Sequence, residues 1–127
     1  MSLREYTPSD YETVKQWWLD NGWDHPMPEE FLPGIASIDE GKSAAFLYST
    51  DANSSCIAWL VANPDIAARE KLESLVSVIN SLIPPFDNHL VVTFAMTSGI
   101  VTAFKKAGFT LVNEFNKQMI YLTGDTK

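Results

Sequence analysis

The segment WLVANPDIAAREKL, residues 59 to 72, contains the most informative change of pattern in the chain. An apolar run from Trp59 to Ala62 stops at Asn63-Pro64-Asp65, and a helical spacing of apolar residues begins shortly afterwards. A strand that leads into a helix in this way directs the unpaired N–H groups of the first helical turn beyond the strand end. The segment therefore raises the question of which group these donors bind.

Composition restricts the class of protein. The chain has 127 residues, of which 46% are hydrophobic and 20% are charged, and this predicts one domain, residues 1–127, with a substantial core. The formal net charge of −7 disfavours binding to nucleic acid and to anionic membranes. An acidic surface suits an amine partner, although it equally serves solubility.

The small number of cysteine and histidine residues argues against a disulfide and a zinc site. Cys56 is the single cysteine, so the chain forms no internal disulfide, and His25 and His89 lie too far apart in sequence to complete a zinc site with it. The start of the sequence has no signal-peptide pattern and there is no long apolar run. These features predict a cytoplasmic protein.

Turn signals and periodicity predict the remaining elements. Three short apolar runs, 35–38, 44–49 and 55–62, are separated by turns and indicate an antiparallel meander. The apolar strand 90–94 is expected to be central and covered on both faces. The full predicted order is β-α-(α)-β-β-β-α-β-α-β-β. Before the meander come strand 3–6, a helix opened by Thr7-Pro8-Ser9-Asp10 and one helical turn near 29–32. After the meander come a long helix that follows Pro64 and ends at Pro84-Pro85, strand 90–94, helix 98–107, and strands 109–112 and 117–122.

This α/β (α+β) order resembles the GNAT superfamily of N-acetyltransferases over essentially the whole chain. Three segments carry the resemblance: the opening 3–10, the strand-to-helix segment 59–72, and the late helix 98–109 that ends in Gly108-Phe109. The segment 59–72 is particularly similar to small phage-encoded members. The resemblance implies one GNAT-like domain with a mixed, mainly antiparallel central sheet of six to seven strands flanked by helices.

In that family coenzyme A lies in a gap between the fourth and fifth strands, so acetyl-CoA is the implied cosubstrate. The pantetheine arm would pair with exposed backbone from Leu60 to Asn63, and the pyrophosphate would meet the N–H groups from about Ile66 to Glu70. The residues expected to bind the cofactor are Leu60, Val61, Ala62, Asn63, Ile66, Ala67, Ala68, Arg69, Glu70, Thr97 and Phe104.

The sequence departs from the family pattern in this segment. The usual glycines of the phosphate loop are absent between Pro64 and Arg69, where Ala67 and Ala68 are the small residues. Arg69 is expected to supply positive charge, and Asp65 is a candidate N-cap of the long helix.

The catalytic residues are harder to assign. Many relatives place a Tyr where this chain has Phe104, and an Asn where it has Thr97, and no carboxylate occurs between Ser54 and Asn63. The remaining catalytic candidates are His25, Glu29 and Tyr121, and the candidates for acceptor binding are Trp23, Glu30 and Tyr48. These candidates also have interpretations without a functional role: His25 would face solvent, and Tyr48 and Tyr121 would lie at the edge of the core. Of the other residues, Cys56 is expected to fill space in the core and His89 to lie at the surface.

The sequence leaves three functional readings open. The first is an acetyl-CoA-dependent N-acetyltransferase in which an unidentified amine attacks the thioester directly, in the host cytoplasm if the protein is phage-encoded. The second is a catalytically degenerate GNAT-fold protein-binding module, and an intermediate possibility is that coenzyme A binds but no acetyl group is transferred. The third is an α/β domain without a ligand, and a homodimer is compatible with each. Divergence of the strand 59–62 from 90–94 would favour a ligand-binding gap.

Overall fold

The computed structural model describes residues 3–23, 25, 27–50, 52–85, 88–95, 97–113 and 117–123. Its elements confirm the predicted order. The strands are β1 (Leu3–Glu5), β2 (Ile35–Asp39), β3 (Ser43–Ser49), β4 (Ser54–Ala62), β5 (Leu90–Phe94), β6 (Thr110–Asn113) and β7 (Gln118–Leu122), and the α-helices are α1 (Tyr11–Asp20), α2 (Ala68–Leu82) and α3 (Ser98–Lys106). Single 3₁₀ turns span Pro8–Asp10 and Glu29–Phe31.

The described strands form one seven-stranded sheet in the order β1-β2-β3-β4-β5-β7-β6. All neighbouring pairs are antiparallel except β4 and β5, which are parallel. The mixed, mainly antiparallel sheet that was predicted is therefore confirmed. In the described part of the chain, no helix has the length and apolar character needed to cross a membrane.

The helices pack on opposite faces of the sheet and bury two hydrophobic clusters. On one face α1 covers strands β2 to β4, where Tyr11, Val14 and Trp17 form one buried cluster with Phe46. On the other face α2 and α3 cover β3, β4, β5 and β7, with Phe104 buried near the centre of the cluster. This arrangement places α1 on one side of the junction between β4 and β5, and α2 and α3 on the other.

The prediction that β5 is covered on both faces is wrong. Val91 and Thr93 are buried beneath the helices, whereas Phe94 on the opposite face is 50% exposed. Leu122, the cross-strand partner of Leu90, is 57% exposed. The apolar content of β5 does place it centrally in the sheet, but the cluster beneath α1 is built on β2, β3 and β4 and leaves this face of β5 uncovered.

The start of α1 is tied to the sheet by charged groups. At the predicted helix start, Thr7 and Asp10 form a capping box around Pro8, and the Thr7 N–H donates to Asp10 Oδ2 at 2.8 Å. Arg4 Nη2 lies 2.7 Å from Asp10 Oδ1 and Arg4 Nε lies 2.6 Å from Glu40 Oε2. The hydrogen bond from Arg4 lowers the pKa of Asp10 from 3.8 to about 2.

Candidate functional site

The two parallel strands β4 and β5 diverge soon after they begin. Their register joins Ser54 to Leu90 and ends with Cys56 opposite Val92. Just beyond this point the Thr93 hydroxyl donates to the Ile57 carbonyl oxygen at 2.9 Å. The remainder of β4 has no ladder partner on β5 among the described residues, and a gap opens between the strands.

A β-bulge in β4 accompanies the divergence. Trp59 and Leu60 stand together opposite Ala45 in the register with β3, and Trp59 has φ of +56°. A bulky side chain rarely adopts this left-handed conformation. The extra residue also changes the face of the sheet to which the following side chains point. Ile57 packs beneath α2, whereas Val61, an even number of residues later, packs beneath α1 on the other face.

The open edge of β4 carries backbone donors. The Asn63 N–H donates to Lys42 O at 2.7 Å, on the side of β3. Alternation along the strand then directs the N–H groups of Ala62 and Leu60 to the opposite edge, which faces the gap. On that edge the Ala62 carbonyl oxygen accepts from Asn21 Nδ2 at 3.0 Å.

The gap contains a cavity of about 480 Å³ that reaches both faces of the sheet. Its floor comes from β4 and β5, one wall comes from α2 and α3, and the other wall comes from α1 and the residues that follow it. The lining residues are Trp18, Asn21, Trp23, Ile57, Ala58, Trp59, Leu60, Val61, Ala62, Ala68, Lys71, Leu72, Leu75, Thr93, Phe94, Thr97, Gly99, Ile100, Thr102 and Phe104.

The uncapped start of α2 meets this cavity. The N-cap residue is Ala67, which has extended backbone and no side-chain hydrogen bond. The predicted N-cap, Asp65, is wrong: its N–H donates to Asn63 Oδ1 at 2.9 Å, within the turn before the helix. The N–H groups of residues 68–70 have no hydrogen-bond acceptor in the described structure, and Ala68 lines the cavity.

Among the described lining residues, the cation at this end of the cavity is Lys71, which was not among the site residues predicted from the sequence. Arg69 was expected there, but its side chain is 92% exposed and its Nε lies 3.6 Å from a Glu73 carboxylate oxygen. Glu70 also turns away and pairs with Lys42 at 3.3 Å. Helical spacing from Ala68 identifies Lys71, because positions three apart share one face of a helix.

Three tryptophan indoles form the opposite wall, which we call the tryptophan wall: Trp18, Trp23 and Trp59. Trp18 and Trp23 are stacked, with ring centroids 4.9 Å apart and planes inclined by 14°. Trp18 and Trp59 meet edge to face, with centroids 5.3 Å apart and planes inclined by 67°. Trp23 was predicted to bind the acceptor, whereas Trp18 and Trp59 were not among the site residues predicted from the sequence.

Hydrogen bonds to the rest of the protein hold these indoles. Trp59 Nε1 donates to the Tyr48 hydroxyl at 2.8 Å, which in turn donates to the Phe31 carbonyl oxygen at 2.9 Å. Trp18 Nε1 donates to the His25 carbonyl oxygen at 2.7 Å. Tyr48 thus contacts the tryptophan wall from behind and does not line the cavity itself.

The residues predicted to bind the cofactor fall into two groups. Those that line the cavity are Leu60, Val61, Ala62, Ala68, Thr97 and Phe104. Those that lie in the turn or on other faces of α2 are Asn63, Ile66, Ala67, Arg69 and Glu70. Thr97 also caps α3, because its hydroxyl accepts from the Ile100 N–H at 3.2 Å.

The polar candidates for catalysis and acceptor binding do not reach the cavity. His25, Glu29 and Glu30 lie outside its lining, and Tyr121 packs against Phe109 with ring centroids 5.3 Å apart. Among the described residues that line the cavity, there is no Asp, Glu, His, Cys or Tyr.

His89 and Cys56, the two other residues considered from the sequence, both lie in half-buried positions. His89 was expected at the surface, but it is half-buried and its Nε2 lies 2.8 Å from the Ser55 hydroxyl oxygen. Cys56 is half-buried on β4, and desolvation raises the pKa of its thiol. A raised pKa disfavours the reactive thiolate.

No family model matches the sequence, and no curated protein matches it. Solved structures do match. Over 98% of this chain, N-acetylglutamate synthase from Neisseria gonorrhoeae, complexed with coenzyme A and L-arginine, superposes with a TM-score of 0.64 at 14% identity. The chain spans only 33% of that synthase.

Two smaller acetyltransferases match over nearly their whole length. The ribosomal-protein-S18-alanine N-acetyltransferase from Escherichia coli has a TM-score of 0.61 and 10% identity, covering 98% of this chain and 95% of its own. The ribosomal-protein-alanine N-acetyltransferase from Brucella melitensis has a TM-score of 0.61 and 11% identity, covering 96% and 99%. The chain therefore has the fold of the GNAT N-acetyltransferases.

Proposed function

We propose that the protein is a coenzyme A-dependent acyltransferase that moves an acetyl group from acetyl-CoA to an amine. The observation that carries this proposal is the gap between β4 and β5, which begins beyond Ile57 and leads to the uncapped start of α2. The coenzyme A bound to the structurally similar N-acetylglutamate synthase supports this choice of ligand. The proposal includes a cytoplasmic location, in keeping with a single cysteine.

The open edge of β4 suits the pantetheine arm. This arm carries two amides, and the backbone groups of Leu60 and Ala62 would pair with them as a neighbouring strand would. Leu72, Leu75 and Ile100 supply an apolar wall for its methylene and methyl groups.

The first turn of α2 suits the pyrophosphate. The three N–H groups of residues 68–70 have no acceptor among the described residues, and the helix dipole places partial positive charge at the same point. The side chains of Ala67 and Ala68 are small enough for close approach, which glycines provide in most relatives. Lys71 adds a full positive charge from the lining of the cavity.

The transfer reaction would proceed by direct attack. The amine nitrogen bonds to the thioester carbonyl carbon, the C–S bond breaks, and coenzyme A leaves as a thiolate that takes up the proton lost by the amine. N–H groups on the open edge of β4, with Leu60 the nearest to the bulge, would stabilise the oxyanion of the tetrahedral intermediate. Coenzyme A is a good leaving group, so the absence of a hydroxyl at Phe104 does not prevent the reaction.

Water is the proposed carrier of protons. Since His25, Glu29 and Tyr121 lie outside the lining of the cavity, none of them would contact the amine without a change of conformation. An amine that arrives deprotonated, or passes its proton to water, needs no side-chain base.

A bulky side chain introduced into the gap tests whether acetyl-CoA binds there. Gly99 lines the cavity on α3, and a Cβ added there would meet only Thr97 Oγ1, at 3.9 Å. Gly99→Trp is therefore expected to fold normally and to weaken acetyl-CoA binding by at least about tenfold in calorimetry. Gly34→Trp is the matched control, because Gly34 has no atom within 4 Å of its added Cβ and lies outside the cavity.

Other outcomes of the binding and transfer measurements distinguish the remaining functional interpretations. Failure of the wild-type protein to bind acetyl-CoA at millimolar concentration would defeat the proposal. Tight binding without acetyl transfer to any amine would support the degenerate binding module instead. Comparison of acetyl-CoA with propionyl-CoA and butyryl-CoA tests whether acetyl is the preferred acyl group.

A further inference from the structure

The tryptophan wall and the proposed cofactor elements lie on opposite faces of the sheet. Trp18 belongs to α1, Trp23 follows it closely in the chain, and Trp59 is placed on the side of α1 by the bulge in β4. Lys71 and the start of α2 lie on the other face. If the cofactor occupies the side of α2, the tryptophan wall is the surface that an acceptor meets at the gap.

The tryptophan wall offers aromatic carbon surface and almost no polar recognition. The Nε1 groups of Trp18 and Trp59 already donate to His25 O and to the Tyr48 hydroxyl. The two indoles therefore have no free donor for an acceptor molecule. Ring faces and edges of this kind select planar aromatic groups by stacking or edge-to-face contact.

The tryptophan wall is also held in place before any ligand arrives. Trp59 keeps a left-handed backbone conformation, with φ of +56°, and its indole is anchored through Tyr48 to the carbonyl of Phe31. A bulky residue holds such a conformation only where its surroundings impose it, and such sites are concentrated around functional surfaces. The rigid indoles would bind a flat ring with little loss of side-chain freedom.

The charge of the described lining disfavours the other common acceptors. Polyamines and lysine-like substrates carry a second ammonium group, but the described lining of the cavity contains no carboxylate to pair with it. One polar acceptor does stand beside the indoles. Asn21 Nδ2 donates to Trp17 O at 2.7 Å and to Ala62 O at 3.0 Å, and its Oδ1 has no partner among the described residues and can accept from a single amine N–H.

We propose that the acceptor is a small primary amine joined by a short alkyl chain to an aromatic ring, with the ring against the tryptophan wall and the amine beside Asn21. This inference rests on the proposed acetyltransferase function and names its substrate class. Trp18, Trp23 and Trp59 determine specificity by contact with the ring, and Tyr48 is a positioning residue for Trp59.

Acceptor selectivity is the first test. Thiol release from acetyl-CoA is measured with phenethylamine, n-butylamine and spermidine under saturating acetyl-CoA. The expected kcat/KM for phenethylamine exceeds that of the other two by about tenfold or more, since extra apolar contact of this size is worth that factor. Equal use of n-butylamine, or preference for spermidine, would overturn the inference but leave the acetyltransferase proposal intact.

Variants of the tryptophan wall give the second test. Trp23→Ala is expected to raise KM for phenethylamine with little change for n-butylamine, and Trp23→Phe is expected to restore most of the selectivity. Tyr48→Phe, which removes the partner of Trp59 Nε1, should raise KM for phenethylamine more than it lowers kcat. Acetyl-CoA affinity, measured by calorimetry, should be unchanged in all three variants. Selectivity that survives Trp23→Ala would remove the tryptophan wall from recognition.

A direct binding measurement separates the two proposals. Phenethylamine added without cofactor is expected to cause a saturable change in tryptophan emission, and n-butylamine is expected to cause none. This result would support the tryptophan wall as an aromatic amine site even if the protein bound no acetyl-CoA, in which case only the transferase function would fail. Absence of the emission change would overturn the inference, as would absence of aromatic selectivity in the first test.

Discussion

Gly108 joins α3 to β6 at a point where only glycine fits. Its φ is +102°, and a Cβ added there would lie 2.8 Å from Cε2 of Tyr121. Gly108→Ala is expected to lower the free energy of unfolding by about 2 kcal/mol, because the left-handed conformation and the displaced ring both cost energy. Urea denaturation monitored by tryptophan emission measures this change.

Gly34→Ala is the control for this prediction, since Gly34 has open space around its added Cβ and no positive φ. Its unfolding free energy should stay within about 0.5 kcal/mol of the wild type. Equal stability of Gly108→Ala and the wild type would show that Tyr121 moves aside without cost. From the sequence Gly108 was recognised as a helix stop, but its contact with Tyr121 depends on how β7 packs beside the end of α3.

Helix α2 is the element on which the cofactor proposal depends most. Lys71→Ala is expected to weaken acetyl-CoA binding by about tenfold at low salt, or about 1.4 kcal/mol, through loss of one charge-assisted hydrogen bond. The effect should shrink as ionic strength rises, because salt screens the attraction. Calorimetric titration at two salt concentrations provides the measurement.

Lys106→Ala makes the same change of charge at the exposed end of α3, away from the cavity lining. An equal loss of affinity in both variants would indicate a general effect of net charge. No loss in Lys71→Ala would place the phosphates elsewhere.

The junction of β1 with the 3₁₀ turn before α1 predicts how stability responds to acid. The hydrogen bond from Arg4 lowers the pKa of Asp10 to about 2, from 3.8, so the pair stabilises the folded state at pH values above about 4. This contribution disappears as the pH falls from about 4 toward 2. Asp10→Asn should therefore be less stable than the wild type at pH 6, and the difference should narrow at pH 2.5.

Asp20→Asn, the same substitution at the exposed end of α1, is the control for acid sensitivity. Its stability relative to the wild type should vary less between pH 6 and pH 2.5 than that of Asp10→Asn. A constant difference between Asp10→Asn and the wild type over this range would refute the role of the Arg4 pair. Urea denaturation at each pH makes the comparison.

The described lining of the cavity predicts how the proposed transfer depends on pH. Since no described lining residue is Asp, Glu, His, Cys or Tyr, we expect the acceptor itself to be the group that loses a proton. The logarithm of kcat/KM should rise with pH with a slope of about one until the pKa of the acceptor ammonium is reached. Two acceptors with different ammonium pKa values should give profiles displaced by that difference.

A bell-shaped profile with the same apparent pKa for both acceptors would contradict this prediction and would indicate a side-chain base. His25 would then be the first residue to replace, because its carbonyl oxygen accepts from Trp18 Nε1 of the tryptophan wall. The affinity for acetyl-CoA, measured at each pH, shows whether any change arises from cofactor binding instead.

The order of elements was predictable because it depends on local patterns. The residues themselves predict the helix start at Thr7-Pro8-Ser9-Asp10, the end of the late helix at Gly108 and the central position of β5. The position of the cleft was also expected, because the family resemblance implied a gap beside the strand that ends at Ala62 and leads into α2. These features involve neighbours in sequence, where side-chain period and turn chemistry decide the conformation.

The composition of the site was decided by tertiary structure. Lys71 faces the cavity and Arg69 faces solvent because of the rotation of α2 about its axis, which its packing on the sheet determines. Trp18, Trp23 and Trp59 meet because one extra residue in β4 turns Trp59 toward α1, and a bulge leaves little trace in a run of apolar residues. The sequence by itself determined the elements and their order. Which residues share the cleft was decided by strand register, by the rotation of α2 and by the divergence of β4 from β5. These three features depend on contacts between distant parts of the chain.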